Sequence, residues 1–141
     1  MPTPPLTGPF ELIVGVEPAD IDALAHVNNL VYLRWAQEVA GAHWQAVAPA
    51  AAQAGLVWVV MRHEIDYKVA ARLGDEVTLQ TWVGTAVGVT FERHTRVLRA
   101  IDGVVLAQAR TLWCPVNART GRPQRVTAEL RALFSVAEAA E

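Results

Sequence analysis

Apolar positions along this chain recur with two different periods, and the change of period marks its elements. Residues 10–16 (FELIVGV) read as a first strand. Residues 17–27 contain Pro18, Asp20 and Asp22 and read as a loop. From Asn29 to Val47 the pattern becomes helical. Val27, Val31, Trp35 and Val39 fall four apart, and Leu30, Leu33, Ala36 and Ala40 share a neighbouring face. Apolar residues cover most of the circumference, which predicts a buried helix. Asn28 or Asn29 suits the N-cap, because an asparagine oxygen can accept from a first-turn amide. The alanine-rich stretch 46–55 is interrupted by Pro49. After Gly55 the period shortens to two. Strands are predicted over 56–69, 76–86, 89–101 and 104–116, with turns at 73–75 and at Asp102-Gly103. A further turn spans 117–123, and 127–139 reads as a C-terminal helix.

One strand, one long buried helix and several long strands in hairpin connection imply an α+β fold. A strongly curved antiparallel sheet wrapped around the helix satisfies the pattern. The 141 residues form one expected domain, with 1–9 as a flexible N-terminal extension. Hydrophobic residues make up 52 % and charged residues 18 %. An apolar excess in so short a chain points to a surface covered by another subunit or to an apolar ligand.

Charge and cysteine narrow the function further. The net charge is −2 and the basic residues are scattered, so neither nucleic acid nor an anionic membrane is an expected partner. Arg119, Arg122 and Arg125 come nearest to a basic patch; they are either surface solvation or a phosphate grip. The single cysteine, Cys114, sits in LWCPV and reads as a buried, inert thiol in a reducing compartment. The start MPTPPLTGPF lacks the basic and apolar blocks of a signal peptide, and no apolar run is long enough to span a bilayer. The expected location is the cytoplasm. The four histidines are dispersed and no metal-ligand spacing occurs, so neither a metal nor a cofactor is expected.

The informative segment is DIDALAHVNNLVYLRW, residues 20–35. Polar residues concentrated at the end of a buried helix require partners or a function. A helix N-terminus offers free amides and a partial positive charge, a setting suited to a developing oxyanion. Asp22 could deprotonate a water or attack directly, while the amide of Asn29 or Leu30 polarises the carbonyl. Taken alone, Asp22 reads as an Asx-turn or helix-cap carboxylate; the HVNN that follows favours catalysis. Asp20 reads as a loop stabiliser. His26 reads as a substrate contact, a support for Asp22 or a structural hydrogen-bonding group. Tyr32, Trp35 and Trp44 read as core or interface aromatics; Glu38 could enter the site, but reads rather as an ion-pair partner of Arg34 or of a residue of a second subunit.

The segment resembles the acyl-CoA thioesterase family typified by the bacterial 4-hydroxybenzoyl-CoA thioesterases. The resemblance is carried by DID at 20–22, HVNN at 26–29 and YLRW at 32–35, with weaker support from RHEIDYKVAARLGDEV (62–77) and NARTGRPQRV (117–126). It implies the hot-dog fold and places the catalytic carboxylate on Asp22, with the amide that holds the thioester oxygen near Asn29. It also implies a homodimer with one continuous sheet, paired into a homotetramer, with sites at the dimer interface. Acyl-CoA is the implied substrate. The sequence departs from the family at Ala25, where glycine is common, and at Ala70 or Ala71, where proline is usual. The turn TAVGVT (85–90) also lacks the basic cluster that some relatives direct at CoA.

The resulting site assigns Asp22, His26 and Asn29 to catalysis, and Asn28, Leu30, Arg93 and Arg122 to substrate binding. Arginines at the rim, among them Arg93, Arg119, Arg122 and Arg125, would meet the CoA phosphates; an acyl carrier protein is the alternative carrier. His63, Glu64 and Asp66 alternate on a strand expected near a dimer seam. Two other functions fit the same residues: a non-catalytic acyl-thioester-binding protein, and an acyl-thioester dehydratase or hydratase.

Overall fold

A computed structural model describes residues 2–5 and 8–134. Five strands form one antiparallel sheet in the order β1-β3-β4-β5-β2. They are β1 (Phe10–Gly15), β2 (Leu56–Tyr67), β3 (Glu76–Val87), β4 (Thr90–Arg99) and β5 (Val105–Asn117). The long helix α1 (Asn29–Val47) packs on the sheet, chiefly over β3. Two short helices complete the fold: α2 (Ala50–Gly55) and α3 (Ala128–Phe134). The curved sheet around one long helix agrees with the expected α+β arrangement. The C-terminal helix is described only to Phe134, so the expected stretch to 139 lies partly outside the described residues.

The alternation along β3 explains its place. Val77, Leu79 and Thr81 are wholly buried, and the two aliphatic residues join α1 residues Val31, Trp35 and Val39 in one core. Tyr32 and Trp44 are also buried, at 2 % and 8 % exposure. The helix is not buried all round, however. Leu30 is 70 % exposed, and Gln37 and Glu38 are exposed or half-exposed too. The apolar neighbouring face therefore narrows to Ala36 and Ala40, because alanines let the helix sit close on the sheet.

Helix α2 is an addition to the expected elements. Pro49 follows the end of α1 and is itself the N-cap of α2, where its missing N–H costs nothing. The Gln53 amide donates to the Ala48 and Gln45 carbonyls and ties the two helices together. At the β3–β4 turn, Gly88 takes φ 61°, the left-handed region that glycine enters without strain. Cys114 is a free thiol, 2 % exposed.

Among the described residues the sheet has two free edges, β1 and β2. Strand β2 is the longer, and it exposes Val57, Val59 and Met61. No helix among the described residues is long and apolar enough to cross a membrane.

Candidate active site

The loop before α1 is built on Asp20. Its side chain is 3 % exposed and is held from two directions. Asp20 Oδ2 accepts from the Glu17 amide at 2.9 Å, and Oδ1 pairs with Arg34 Nη2 at 3.0 Å. The Asp20 carbonyl accepts from the Asn28 amide at 2.8 Å. Arg34 continues to Glu38 at 3.2 Å, the i,i+4 pair that the sequence suggests. Asp20 thus fixes both ends of the loop to the helix, and Asp22 is carried between them.

Asp22 closes a tight turn. Its amide donates to the His26 carbonyl at 2.8 Å, and its carbonyl accepts from the Ala25 amide at 3.1 Å. Its Oδ1 accepts from the Leu24 amide at 2.8 Å and, at a longer 3.4 Å, from the His26 amide. This is the Asx-turn that the residue type allows. Oδ2 accepts no hydrogen bond among the described residues. One oxygen orients the carboxylate and the other stays available for chemistry. Ala25 takes φ 63°. The loop therefore keeps the left-handed turn and strains an L-residue to do so.

The start of α1 shows which amide is open. Asn28 is the N-cap, and its Oδ1 accepts from the Leu30 amide at 2.9 Å. The Val31 amide donates to the Asn28 carbonyl, and the Val27 amide to the Ala71 carbonyl. Of the amides from Val27 to Val31, only that of Asn29 lacks an acceptor among the described residues. Leu30, one of the two expected donors, already spends its N–H on the cap. The carbonyl of Asn29 accepts from Tyr67 Oη at 3.2 Å.

Asp22, His26, Asn28 and Asn29 line one cavity of about 340 Å³, with Tyr67 and Lys68 also in its wall. Sequence reasoning does not single out Tyr67 or Lys68, although both lie within the 62–77 stretch; an aromatic near a strand end carries no chemical signal by itself. Tyr32 backs this wall. Its hydroxyl accepts from the Ala71 amide at 2.9 Å, and its ring meets Tyr67 edge-on at 5.4 Å. A proline at Ala71 would have no N–H to give, so alanine there is matched to Tyr32. Burial raises the Tyr32 and Tyr67 phenols above their usual range, so both stay protonated at neutral pH.

Two of the expected substrate contacts lie elsewhere. Arg93 is not at a rim. It is 6 % exposed inside the fold, and its Nη1 lies 2.9 Å from His43 Nδ1 and 3.0 Å from Thr81 Oγ1. Burial lowers its pKa to about 9. Burial, with the charge of Arg93, lowers that of His43 to about 3, so the imidazole is neutral and Nδ1 is the acceptor. A residue on an inward position of a central strand cannot reach solvent phosphates. Arg122 is exposed in the turn after β5, beside the start of β2. Leu56 and Tyr67 are the two ends of β2, roughly 36 Å apart, so Arg122 lies far from the Asp22 cavity of its own chain. Among the described residues, no group of three His, Cys, Asp or Glu side chains is placed to hold a metal ion.

The sequence profile of the thioesterase-like superfamily matches residues 16–134. The chain belongs to the thioesterase-like superfamily. It is a thioester hydrolase with the hot-dog fold. Among solved structures it is similar to a thioesterase from Thermus thermophilus complexed with coenzyme A and zinc. That pair is 25 % identical with a TM-score of 0.79, over 94 % of this chain and 96 % of the other. The dynemicin thioesterase, described with bound polyene, aligns at 23 % identity and a TM-score of 0.80, over 91 % and 96 % of the two chains. A 1,4-dihydroxy-2-naphthoyl-CoA thioesterase from Synechocystis aligns at 16 % identity and a TM-score of 0.75, over 90 % and 96 %. No curated protein sequence matches the chain.

Proposed function

We propose that this thioesterase hydrolyses acyl-CoA, with Asp22 as general base or nucleophile and the Asn29 amide as the oxyanion donor. The observation that carries the reading is the pairing of a half-committed carboxylate with an uncommitted helix-start amide in one cavity. The thioester carbonyl oxygen accepts from Asn29 N–H, where the helix dipole favours negative charge. Asp22 Oδ2 takes a proton from water, or attacks the carbonyl carbon itself. In the first route that water adds to the carbonyl carbon, the carbon–sulfur bond breaks, and the proton passes to the CoA sulfur, so free acid and CoA leave. In the second, CoA leaves first, and water then hydrolyses the mixed anhydride on Asp22 to the free acid. Base assistance contributes typically ~10²–10⁴-fold, and one oxyanion donor on the order of 10²–10³-fold. His26 lines the same cavity and steadies the turn through its backbone.

Lys68 is the cation nearest this reading, since it forms part of the cavity wall. It replaces Arg93 as the expected phosphate contact. A homodimer forms through the β2 edge, which is long, unpaired among the described residues and apolar at Val57, Val59 and Met61. Antiparallel pairing of two β2 strands brings the 117–123 turn of one subunit toward the Asp22 cavity of the other. Arg122 then contributes across the dimer seam.

The test is incubation of the protein with short, long and aromatic acyl-CoAs, measuring free acid and free thiol. Equal amounts of both products support the reading. Tight binding of acyl-CoA without thiol release, or double-bond migration with CoA retained, contradicts it.

A further inference from the structure

A second cavity, of about 260 Å³, shares no wall residue with the Asp22 site. Gly41 in its wall is roughly 18 Å along α1 from Asn29. The wall is aromatic: Trp44, Trp58, Phe91, Trp113 and Phe134. Phe134 stacks on Trp44 at 5.6 Å, and Trp58 meets Trp44 edge-on at 5.4 Å. A cavity of about 150 Å³ accepts benzene, so this one has room for a larger ring or a ring with a substituent.

One cationic group forms part of this wall. Arg93 is 6 % exposed, and no carboxylate among the described residues is within ion-pair distance of it. Its partners are the neutral Thr81 hydroxyl, the neutral His43 ring and, 5.2 Å away, the face of Phe134. All its hydrogen bonds leave from Nη1; Nε and Nη2 have no acceptor among the described residues. Glu92, the one carboxylate in the cavity wall, is taken by Arg110 and His94. The indole N–H groups of Trp58 and Trp113 are also buried without acceptors among the described residues. Among the described residues the wall thus holds spare buried donors, and its one carboxylate is already paired. A buried cation without a counter-ion is costly, and an anion that enters with it offsets the cost.

We propose that this cavity binds an apolar, ring-bearing carboxylate, its two oxygens meeting the Nε and Nη2 fork of Arg93 and its ring packed among the tryptophans. A planar guanidinium matches a carboxylate in two parallel hydrogen bonds. Binding here requires no hydrolysis and does not depend on Asp22. Two sources present this chemistry: a free acid, or the far end of a dicarboxylic acyl group.

The test uses 2-naphthoate and its neutral isostere 2-naphthamide, titrated by calorimetry and by tryptophan fluorescence. Wild type and Asp22→Asn should bind naphthoate alike and prefer it to the amide by at least about tenfold. Arg93→Met should lose the preference. Gly41→Leu, at a helical position where an added Cβ meets no atom within 4 Å, should fill the cavity mouth without touching Arg93. It should weaken naphthoate by at least about tenfold. Equal affinity for acid and amide in wild type, or full naphthoate binding by Gly41→Leu, overturns the proposal. If Arg93→Met fails to fold, these two results still decide it. Hydrolysis of the terephthaloyl mono-CoA thioester against its methyl ester separates the sources. A preference for the acid that vanishes in Arg93→Met assigns the site to the acyl group; rates independent of Arg93 assign it to a free acid.

Discussion

The hydroxyl of Tyr32 accepts the Ala71 amide at 2.9 Å, which ties the first turn of α1 to the segment that leaves β2. Both residues are buried, at 2 % and 0 % exposure. The bond holds together the two walls of the Asp22 cavity. Tyr32→Phe keeps the ring and strands the amide, so a loss of about 1–3 kcal/mol in unfolding free energy is expected. Urea denaturation measures it; an unchanged midpoint would show that the amide finds another partner.

Ala25 tests the loop from the opposite side. At φ 63° an alanine is strained and a glycine is not. Ala25→Gly should stabilise the protein by about 1 kcal/mol, a rise in Tm of a few degrees. A fall in Tm would mean that the loop adopts some other conformation.

The fold is largely legible in the sequence, because two-residue and helical periods are strong where one face is buried. Val77, Leu79 and Thr81 mark β3, and Val31, Trp35 and Val39 mark the helix. The site is legible as a segment but not as a geometry. Nothing in HVNN says that Asn28 occupies the Leu30 amide and leaves Asn29 open; that follows from which asparagine becomes the cap. The position of Arg93 is hidden for a similar reason. In TFERHTRVLR, charged residues alternate with each other as well as with apolar ones, so the sequence does not tell which arginine points inward. Helix α2 escapes the pattern because a proline inside an alanine run reads as a break, whereas here it starts a new helix.

His43 makes stability depend on pH. Burial and Arg93 hold its folded pKa near 3, well below the 6.5 of an unfolded chain. Between these values the unfolded state binds the extra proton, so stability falls as pH drops from about 6.5 toward 3 and is level above. The slope from this one group is about 1.4 kcal/mol per pH unit at most. His63, also lowered by burial, acts in the same direction. His43→Gln should flatten the profile by up to one proton's worth, as read from denaturation midpoints at about pH 4.5, 5.5 and 7. A parallel profile would place the acid sensitivity elsewhere.

Lys68 gives a handle on the CoA end of the substrate. If its ammonium meets a phosphate, Lys68→Ala should raise KM for acyl-CoA by roughly tenfold, about 1.4 kcal/mol, at constant kcat. The same acyl group on N-acetylcysteamine, which lacks phosphates, should show no change. Equal effects on both thioesters would remove Lys68 from phosphate binding.

In the proposed mechanism a single oxygen, Oδ2 of Asp22, is the base or nucleophile. Replacing it with an amide nitrogen in Asp22→Asn preserves the Oδ1 acceptor of the Asx-turn and removes the base. Thiol release from the best acyl-CoA, measured for both proteins under saturating conditions, tests it most directly. A loss in kcat of at least about 10²-fold with an unchanged Tm is expected. An Asp22→Asn protein that retains most of its activity would contradict it.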